Sequence, residues 1–463
     1  MASSESGIVP ERYCVIGAGA AGLATCRALS QFGIPFDCFE RERDIGGLFN
    51  YGQSSSSVYT SAHLLSSKTT SEFPDFPMPA HYPPYPHHTL VLKYFQAYAR
   101  HFGLYDQISF NTSVASVEPT AAGWEVRLAG GRTRRYRGVI IANGHHSIPI
   151  LPQFPGRFDG VTLHSKQYRT PELFADKRVL VVGAGNSACD VALDAVPGAS
   201  RVFLSIRRSC YFLSKFSFGN PGDVALNMMG RLRFPMWLRR FLVGLSAFST
   251  NGRPERLGLP TPDHKLLEAH STVNSLVPYK ILHGDIVVKP NIASFDGDRV
   301  HFTDGSTEAI DVIVYATGFK VSIPFVRTEL LHWKNEAPDF FMHVLHPERD
   351  DLSIVGLFQS ATSGHWFLMH YQAQLLARFL AARDQGADVE WFRKLKALPS
   401  PDMRGGFGQV NSERHRLTVD PMLYERQLKQ LIGRFDRLYD FSAPQILSSR
   451  SNVAQPIGLR RAA

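Results

Sequence analysis

The sequence predicts an α/β fold with two Rossmann-like domains, each a three-layer unit with a parallel sheet and a β-meander. A predicted buried strand runs into a glycine turn twice, at GAGAAG (17–22) and at GAGNSACD (183–190). After each turn the chain repeats one order: a hairpin, an apolar strand, and a small residue followed by glycine. The 463 residues suffice for two to three domains, so we expect the second unit to be inserted into the first.

The first unit has the pattern of a βαβ motif. Arg12–Ile16 is a predicted strand, Leu23–Phe32 a helix and Ile34–Glu40 a second strand. The glycines leave the helix N-terminus open to a pyrophosphate. Glu40 ends its strand where an acid accepts hydrogen bonds from ribose hydroxyls and repels a 2′-phosphate, so this site fits FAD. A further glycine turn follows at Arg43–Phe49. The predicted FAD contacts are Gly17, Ala18, Gly19, Ala20, Ala21, Gly22, Glu40, Gly47, Leu48 and Phe49.

The chain between the two turns alternates loops with short regular elements. Residues 50–88 contain FPDFPMP and HYPPYPHH, and this many prolines exclude a regular helix or a central strand. Thr89–Phe102 has helical periodicity, a hairpin is expected over 113–128, and Val139–Ala142 is an apolar strand. The prolines of 149–155 predict a rigid linker.

The second unit repeats the βαβ pattern, but different residues follow its second strand. Arg178–Val182 is a predicted strand, the helix runs to about Val196, and Arg201–Ile206 is the next strand. No acid follows it; Arg207 and Arg208 follow instead. A guanidinium can pair with a 2′-phosphate through two hydrogen bonds, so this site fits NADPH, with Arg207 favoured over Arg208 and ordinary surface charge as the alternative. The predicted NADP contacts are Gly183, Gly185, Asn186, Ser187, Ala188, Arg207 and Arg208.

The rest of the chain is expected to return to the first domain. Val312–Ala316 is an apolar strand, Asp351–Leu357 another, and Trp366–Ala382 a helix, with residues 383–440 packed on the outside. Gln359, at a strand end, is a predicted FAD contact.

These elements predict the domain boundaries. The FAD-binding domain comprises 1–157 and 313–441, and the NADPH-binding domain 158–312 with a helical insertion at about 211–270. The polar, proline-containing tail 442–463 is expected to be flexible.

Composition limits the partners. The net charge is +9, but no long basic block occurs, which favours a solvated basic face over nucleic-acid binding. The five cysteines form no CxxC pair and no metal-ligand spacing, which indicates a reducing, cytoplasmic location and argues against a disulfide reductase. No apolar run reaches the roughly 18 residues of a membrane span. Arginines and a proline interrupt Val224–Phe248, which fits a lid over the substrate channel or a peripheral membrane contact.

Several motifs together resemble one family. Phe158, Gly160, His164 and Tyr168 fit the fingerprint FxGxxxHxxx[YF], and this segment between the two sites is a predicted hinge. Other matching stretches are Asn143-Gly144-His145 with a following FPG, GAGNSACD, ATGF at 316–319 and GLFQ at 356–359. The chain resembles a class B flavin-dependent monooxygenase of the flavin-containing monooxygenase (FMO) branch. Tyr168 stands where the related Baeyer–Villiger branch has Trp, which argues against that branch.

The resemblance implies FAD and NADPH as cofactors, O2 and a small nucleophilic molecule as substrates, and N- or S-oxidation through a C4a-hydroperoxyflavin. His164 itself is expected to lie in a linker and to fix the hinge by hydrogen bonding rather than to transfer a proton, since a histidine outside a pocket is a poor acid/base candidate. A homodimer is compatible with the family resemblance.

One departure from the family concerns oxygen transfer. Tyr59, Ser61 and Lys68 match the stretch YxSxxxNxxK, but Leu65 stands at its Asn position, and leucine cannot donate a hydrogen bond. Leu65 and Ser66 are therefore the catalytic candidates. Either Ser66 or His63 supplies the missing contact, or NADPH oxidation is uncoupled and yields hydrogen peroxide. A non-enzymatic dinucleotide-binding protein is a third hypothesis.

Overall fold

The computed structural model of the chain describes residues 11–217, 219–269, 272–407 and 417–441. The first sheet has five parallel strands around the fully buried Tyr13–Ile16. Because both faces of this strand are covered, its sequence is an unbroken apolar run rather than an alternating one. The strand order is Leu352–Ile354, Gly138–Ile141, Tyr13–Ile16, Phe36–Phe39 and Ile108–Ser109.

The second sheet repeats this arrangement with five parallel strands. Its order is Val161–His164, Val312–Tyr315, Arg178–Val182, Arg201–Ser205 and Ile286–Lys289. All its strands lie between two strands of the first sheet in sequence. The predicted fold of two Rossmann-like domains, with the second inserted into the first, is confirmed.

The strand Val312–Tyr315 crosses the predicted domain boundary at residue 312. The whole strand pairs with Val161–His164 on one side, and it also pairs with Arg178–Val182. We therefore propose that the second domain extends to residue 315.

Antiparallel strands cover one face of each sheet. The first meander comprises Val114–Thr120, Gly123–Leu128 and Thr133–Tyr136. The second comprises Thr307–Ala309, Arg299–Phe302 and Ile292–Gly297, with Gly156–Phe158 added in parallel. Short two-stranded pairs join Phe212–Leu213 to Thr272–Val273, Phe216–Ser217 to Asn220–Pro221, Ile148–Pro149 to Phe319–Lys320, Trp333–Lys334 to Ala337–Pro338, and Gln359–Ser360 to Thr418–Val419.

Helices complete the layers. The α-helices are Ala20–Gln31, Lys68–Ser71, His88–His101, Asn186–Ala195, Gly222–Arg231, Met236–Asn251, Leu276–Leu282, Trp366–Asp384, Glu390–Lys396 and Pro421–Leu438. Short 3-10 turns lie at Gly47–Phe49, Tyr105–Gln107, Pro171–Phe174, Pro254–Leu257 and Thr328–Leu331. Within the described ranges, no helix combines the length and apolar content needed to cross a membrane.

The last helix of the segment 383–440, which was expected to pack on the outside, contacts the first domain through one face and exposes the other. Pro421–Leu438 buries Tyr424, Leu428 and Phe435 in the core of the first domain. The Tyr424 hydroxyl lies 2.8 Å from the side-chain amide of Gln372, which donates to it. The predicted tail 442–463 lies outside the described residues.

A buried ion pair fastens the insertion to the first domain. Arg239 of the insertion donates to Asp420 Oδ2 at 2.9 Å, and the two side chains are 10% and 6% exposed. Asp420 also caps the last helix, since its Oδ1 accepts from the amides of Met422 and Leu423 at 2.9 and 3.1 Å. The Asp420 carboxylate thus pairs with Arg239 and also caps the last helix, although these two elements lie far apart in the sequence.

Replacing Arg239 should therefore destabilise the protein strongly. Arg239→Met leaves a buried carboxylate without its cation, and we expect the free energy of unfolding, measured by urea denaturation, to fall by about 3 kcal/mol. Arg157→Met removes the exposed pair with Asp159, whose arginine side chain is 90% exposed, and should change nothing measurable. Equal effects of the two variants would refute the role given to Arg239.

Candidate active site

A cavity of about 2010 Å³ lies between the two sheets at the carboxyl ends of their strands. Ile16 and Ala142 line it from the first sheet, and Val182 and Ala316 from the second. This edge is where parallel α/β sheets bind ligands. A pocket for one drug-sized ligand holds roughly 300–1,000 Å³, so this cavity has room for two dinucleotides and a substrate.

Close backbone packing makes the first glycine turn. Gly17 has φ +106°, and a Cβ on it would lie 2.6 Å from the carbonyl oxygen of Ala142. The helix Ala20–Gln31 begins at Gly19 without a side-chain cap, so its first amides stay open to an anion. A Cβ on Gly19 would approach Gly47 Cα to 3.6 Å, which brings the turn at 43–49 against this one.

Glu40 lies beside this turn, buried and lining the cavity. Its carboxylate accepts from the amides of Ala18 at 2.7 Å and Glu42 at 3.0 Å. Burial raises the pKa of this carboxyl, and the two amide bonds oppose that rise. Each oxygen keeps a lone pair, so Glu40 can still accept a ribose hydroxyl.

The second glycine turn has the same construction. Gly183 has φ +137°, and a Cβ on it would lie 2.5 Å from the carbonyl oxygen of Ala316. The helix Asn186–Ala195 begins at Gly185, again without a side-chain cap. Asn186 Oδ1 accepts from the amide of Val273 at 2.8 Å, so this side chain is held by the protein itself.

The two arginines at the end of Arg201–Ser205 differ in their partners. Both are exposed and line the cavity. Arg208 donates from Nε to Asp263 at 2.8 Å, and this arginine helps to lower the pKa of Asp263 to about 2. In the described parts of the chain, no carboxylate pairs with Arg207. Arg207 is therefore the guanidinium available to a phosphate.

Most of the predicted cofactor contacts line the cavity, and their roles stay predictions. Ala18, Gly22 and Ala188 lie behind the turns instead. A Cβ on Gly22 would lie 1.9 Å from the carbonyl oxygen of Gly17, so this glycine permits the crossing of helix and strand. The lining contacts are Gly17, Gly19, Ala20, Ala21, Glu40, Gly47, Leu48, Phe49, Gln359, Gly183, Gly185, Asn186, Ser187, Arg207 and Arg208.

Leu65 faces the cavity with 38% of its surface exposed. Its neighbours anchor the segment. Ser67 donates from its amide to Asp223 at 2.7 Å, and the Lys68 ammonium donates to the carbonyls of Ala80 at 2.8 Å and Tyr82 at 2.7 Å. The loop is thus fixed immediately after Leu65, a side chain that forms no hydrogen bond.

Both candidate substitutes for the missing amide donate a proton to the protein. Ser71 Oγ donates to the carbonyl of Ser67, so Ser66 must be the donor in its own 2.9 Å contact with Ser71 Oγ. His63 donates from Nδ1 to the carbonyl of Ser61 at 2.8 Å. In this arrangement Leu65 leaves the site without the donor that asparagine would provide.

The fingerprint residues lie in the second domain and do not line the cavity. The Phe158 ring packs on Phe295 at 5.6 Å, and a Cβ on Gly160 would lie 2.6 Å from the carbonyl oxygen of Asp311. The expectation that His164 lies in a linker is wrong, because it ends the edge strand Val161–His164 and pairs with Tyr315. Its Nδ1 accepts from the amide of Lys166 at 3.1 Å, and burial lowers its pKa.

The insertion covers the cavity with two helices, interrupted at Pro235. Met229 and Val243 face inward and line the cavity, as a lid would. Trp237 and Phe241 of the second helix are 69% and 64% exposed on the opposite side. A peripheral membrane contact of that outer side stays a prediction.

Comparison with known proteins decides the family. The family model described as flavin-binding monooxygenase-like (FMO-like) matches residues 10–384. The chain belongs to the FMO-like family. It is 34% identical over 460 residues to flavin-containing monooxygenase 5 of Oryctolagus cuniculus, covering 91% of this chain and 83% of that protein. It is 35% identical over 376 residues to dimethylaniline monooxygenase [N-oxide-forming] 2 of Rattus norvegicus, covering 75% of this chain and 69% of that protein.

Solved structures of FMO-like proteins and their neighbours share the fold. S-allyl-L-cysteine S-oxygenase from Allium sativum superposes with a TM-score of 0.64 at 23% identity, covering 92% of this chain and 89% of that one. An oxidised steroid monooxygenase bound to NADP superposes with a TM-score of 0.66 at 18% identity, covering 91% and 97%.

As a member of the FMO-like family, the chain is an oxidoreductase that uses FAD, NADPH and O2. The structure fits these cofactors. Two uncapped helix N-termini, at Gly19 and Gly185, open into one cavity. Glu40 at the first turn suits free ribose hydroxyls, and Arg207 at the second suits a 2′-phosphate. Disulfide-reductase chemistry does not fit, because all five cysteines are buried and no CxxC pair occurs among them.

Arg207 should distinguish NADPH from NADH. Arg207→Ala removes the guanidinium without a protein partner, and we expect the KM for NADPH to rise about ten- to a hundredfold, the value of one or two charged hydrogen bonds. The KM for NADH should stay nearly constant. Arg208→Ala, whose side chain already pairs with Asp263, is the matched control and should have the smaller effect. Equal rises for the two coenzymes would contradict the 2′-phosphate role.

Proposed function

We propose that the chain is an NADPH-dependent FAD monooxygenase that oxygenates the soft nitrogen or sulfur atom of a small molecule. One observation carries the proposal: both glycine turns and the Leu65 segment open into the same cavity. A hydride donor and a flavin held at these turns would meet beside the substrate. The N-oxide-forming relative in Rattus norvegicus supports nitrogen as one target.

Bound FAD and NADPH supply the hydride transfer and the activation of O2. The chain positions them and excludes water. Phe49 and Trp366 both line the cavity, and their rings meet edge to face at 5.7 Å. Leu65 is a further apolar side chain of the cavity wall. An apolar wall of this kind protects a reactive species from hydrolysis.

His365, which precedes Trp366 at the cavity wall, is not suited to acid/base catalysis at pH 7. His365 lines the cavity, but burial lowers its pKa to about 4, so it is neutral at pH 7. Its Nε2 accepts from the amide of Ser360 at 3.1 Å. The histidine therefore holds the start of the helix Trp366–Asp384, which agrees with chemistry carried by the cofactors.

Leu65 favours a second candidate function, an uncoupled NADPH oxidase. With Ser66 and His63 committed to protein acceptors, no side chain of 63–66 donates into the cavity at this point. Hydrogen peroxide would then be the main product of NADPH oxidation.

Product stoichiometry separates these functions. The FAD-loaded enzyme is given NADPH with N,N-dimethylaniline, methyl phenyl sulfide or cyclohexanone, and NADPH, peroxide and organic product are quantified. We expect N-oxide or sulfoxide and no lactone. Peroxide equal to NADPH consumed with every probe would establish the oxidase. Lactone as the main product would place the enzyme in the Baeyer–Villiger class.

Leu65→Asn tests the missing donor directly. If the amide restores the contact, the fraction of NADPH lost as peroxide should fall about tenfold, the effect of one hydrogen bond of about 1.4 kcal/mol. Leu65→Met keeps the apolar wall and is the control, with an unchanged fraction. A peroxide fraction that rises in the Asn variant would show that exclusion of water by leucine matters more than the hydrogen bond.

A further inference from the structure

Hydrogen bonds between side chains join the Leu65 loop to the second domain. Tyr59 donates from its hydroxyl to Asp190 Oδ2 at 2.6 Å, and Ser61 Oγ donates to Asp194 Oδ2 at 2.6 Å. The Tyr168 hydroxyl donates to the same Asp194 oxygen at 2.8 Å. Asp190 and Asp194 are one turn apart on the helix Asn186–Ala195, so they share one face. We call these five residues the interdomain clamp.

Packing and backbone contacts reinforce the clamp. The rings of Tyr59 and Tyr168 lie 5.5 Å apart, and their side chains are 6% and 1% exposed. The amide of Thr60 donates to the carbonyl of Arg169 at 2.9 Å, and the Arg169 guanidinium donates to the carbonyl of Ser56 at 3.2 Å. Hydrogen bonds to a carboxylate are stronger than neutral ones, and burial strengthens them further.

The clamp connects two parts of the cavity wall. Its helix presents Gly185, Asn186 and Ser187 to the cavity, where the NADPH phosphates are proposed to bind. Its loop reaches Leu65 six residues after Tyr59. The two walls are therefore fixed relative to each other by the side chains of the clamp.

We propose that Tyr59, Ser61, Tyr168, Asp190 and Asp194 are positioning residues that keep the Leu65 loop in register with the NADPH-binding helix. The proposal rests on the proposed function only in that NADPH binds at this helix. The Leu65 side chain makes no hydrogen bond that could orient it, so the hydrogen bonds of the clamp set the position of the loop. The last fingerprint residue, Tyr168, thereby gains a role beyond a hinge, since its hydroxyl orients the carboxylate that holds Ser61.

The double variant Tyr59→Phe/Ser61→Ala removes two hydroxyls and keeps the ring packing. Lys215 stays as a cationic neighbour of Asp190, and Tyr168 stays as the donor to Asp194. Hydrogen–deuterium exchange is measured on the FAD-loaded enzyme with and without NADP+. In the wild type, NADP+ should protect both 186–195 and 56–65. In the double variant it should protect 186–195 alone, and we expect flavin reduction to slow about tenfold, because small misplacements of reacting groups are costly.

Controls separate positioning from folding. Tyr136→Phe removes another hydrogen bond from a buried tyrosine to an aspartate, which runs 2.8 Å from the first meander to Asp37 of the first sheet, and should leave NADP+ protection of 56–65 intact. Asp194→Asn retains an acceptor oxygen and should keep most of the reduction rate that Asp194→Leu loses. The KM for NADPH should change less than about twofold in the double variant, since its phosphate site is untouched.

The proposal fails if NADP+ protects 56–65 equally in the double variant and the wild type, or if KM rises while the reduction rate is unchanged. Both readouts precede oxygen transfer. The results of both measurements are therefore independent of whether the enzyme oxygenates nitrogen or sulfur in any substrate.

Discussion

The rest of the structure depends on how closely two glycine turns approach a neighbouring strand. Gly17 packs against the carbonyl of Ala142, and Gly183 packs in the same way against that of Ala316. A side chain at either glycine would lie about 2.5 Å from a backbone oxygen, which no local adjustment relieves. Each turn therefore requires glycine at the point where it crosses the end of the neighbouring strand, and both halves of the chain meet this requirement. Both helix N-termini are thereby directed into one cavity.

Local patterns predicted the elements that are set by local chemistry. Arg178–Val182 has the bounds expected from its sequence, because a buried apolar run is distinctive over a few residues. His164 was misplaced because its strand lies at the edge of the second sheet and is partly exposed, so it lacks an apolar pattern. The burial of the last helix could not be predicted either, since it depends on Gln372 and Arg239, which lie far away in sequence.

The features of the candidate site likewise divide into those that the sequence predicts and those that depend on the fold. Glycine turns, Glu40 and Arg207 carry their chemistry in residue type and spacing, and all of them line the cavity. The state of Ser66 and His63 could not be predicted, because it depends on which acceptors the fold places beside them. Ser66 donates to Ser71 Oγ, and His63 donates from Nδ1 to the Ser61 carbonyl, so both protons are used within the protein. Spacing alone also did not show that Asp190 and Asp194 face Tyr59 and Ser61, although a separation of four residues on a helix was the available signal.

Two kinds of constraint therefore act on the Leu65 loop. Hydrogen bonds from Ser67 and Lys68 hold one end against the insertion and the proline-rich loop, and the interdomain clamp holds the other end against the NADPH-binding helix. Between them lies one apolar side chain facing the cavity. An asparagine at position 65 would help to position the loop through a hydrogen bond to the cofactor. Leucine cannot form that bond, so the position of the loop depends on contacts within the protein alone. Coupling of NADPH oxidation to oxygenation in this chain then depends on how rigidly the two domains hold the loop, and on how completely Leu65, Phe49 and Trp366 exclude water.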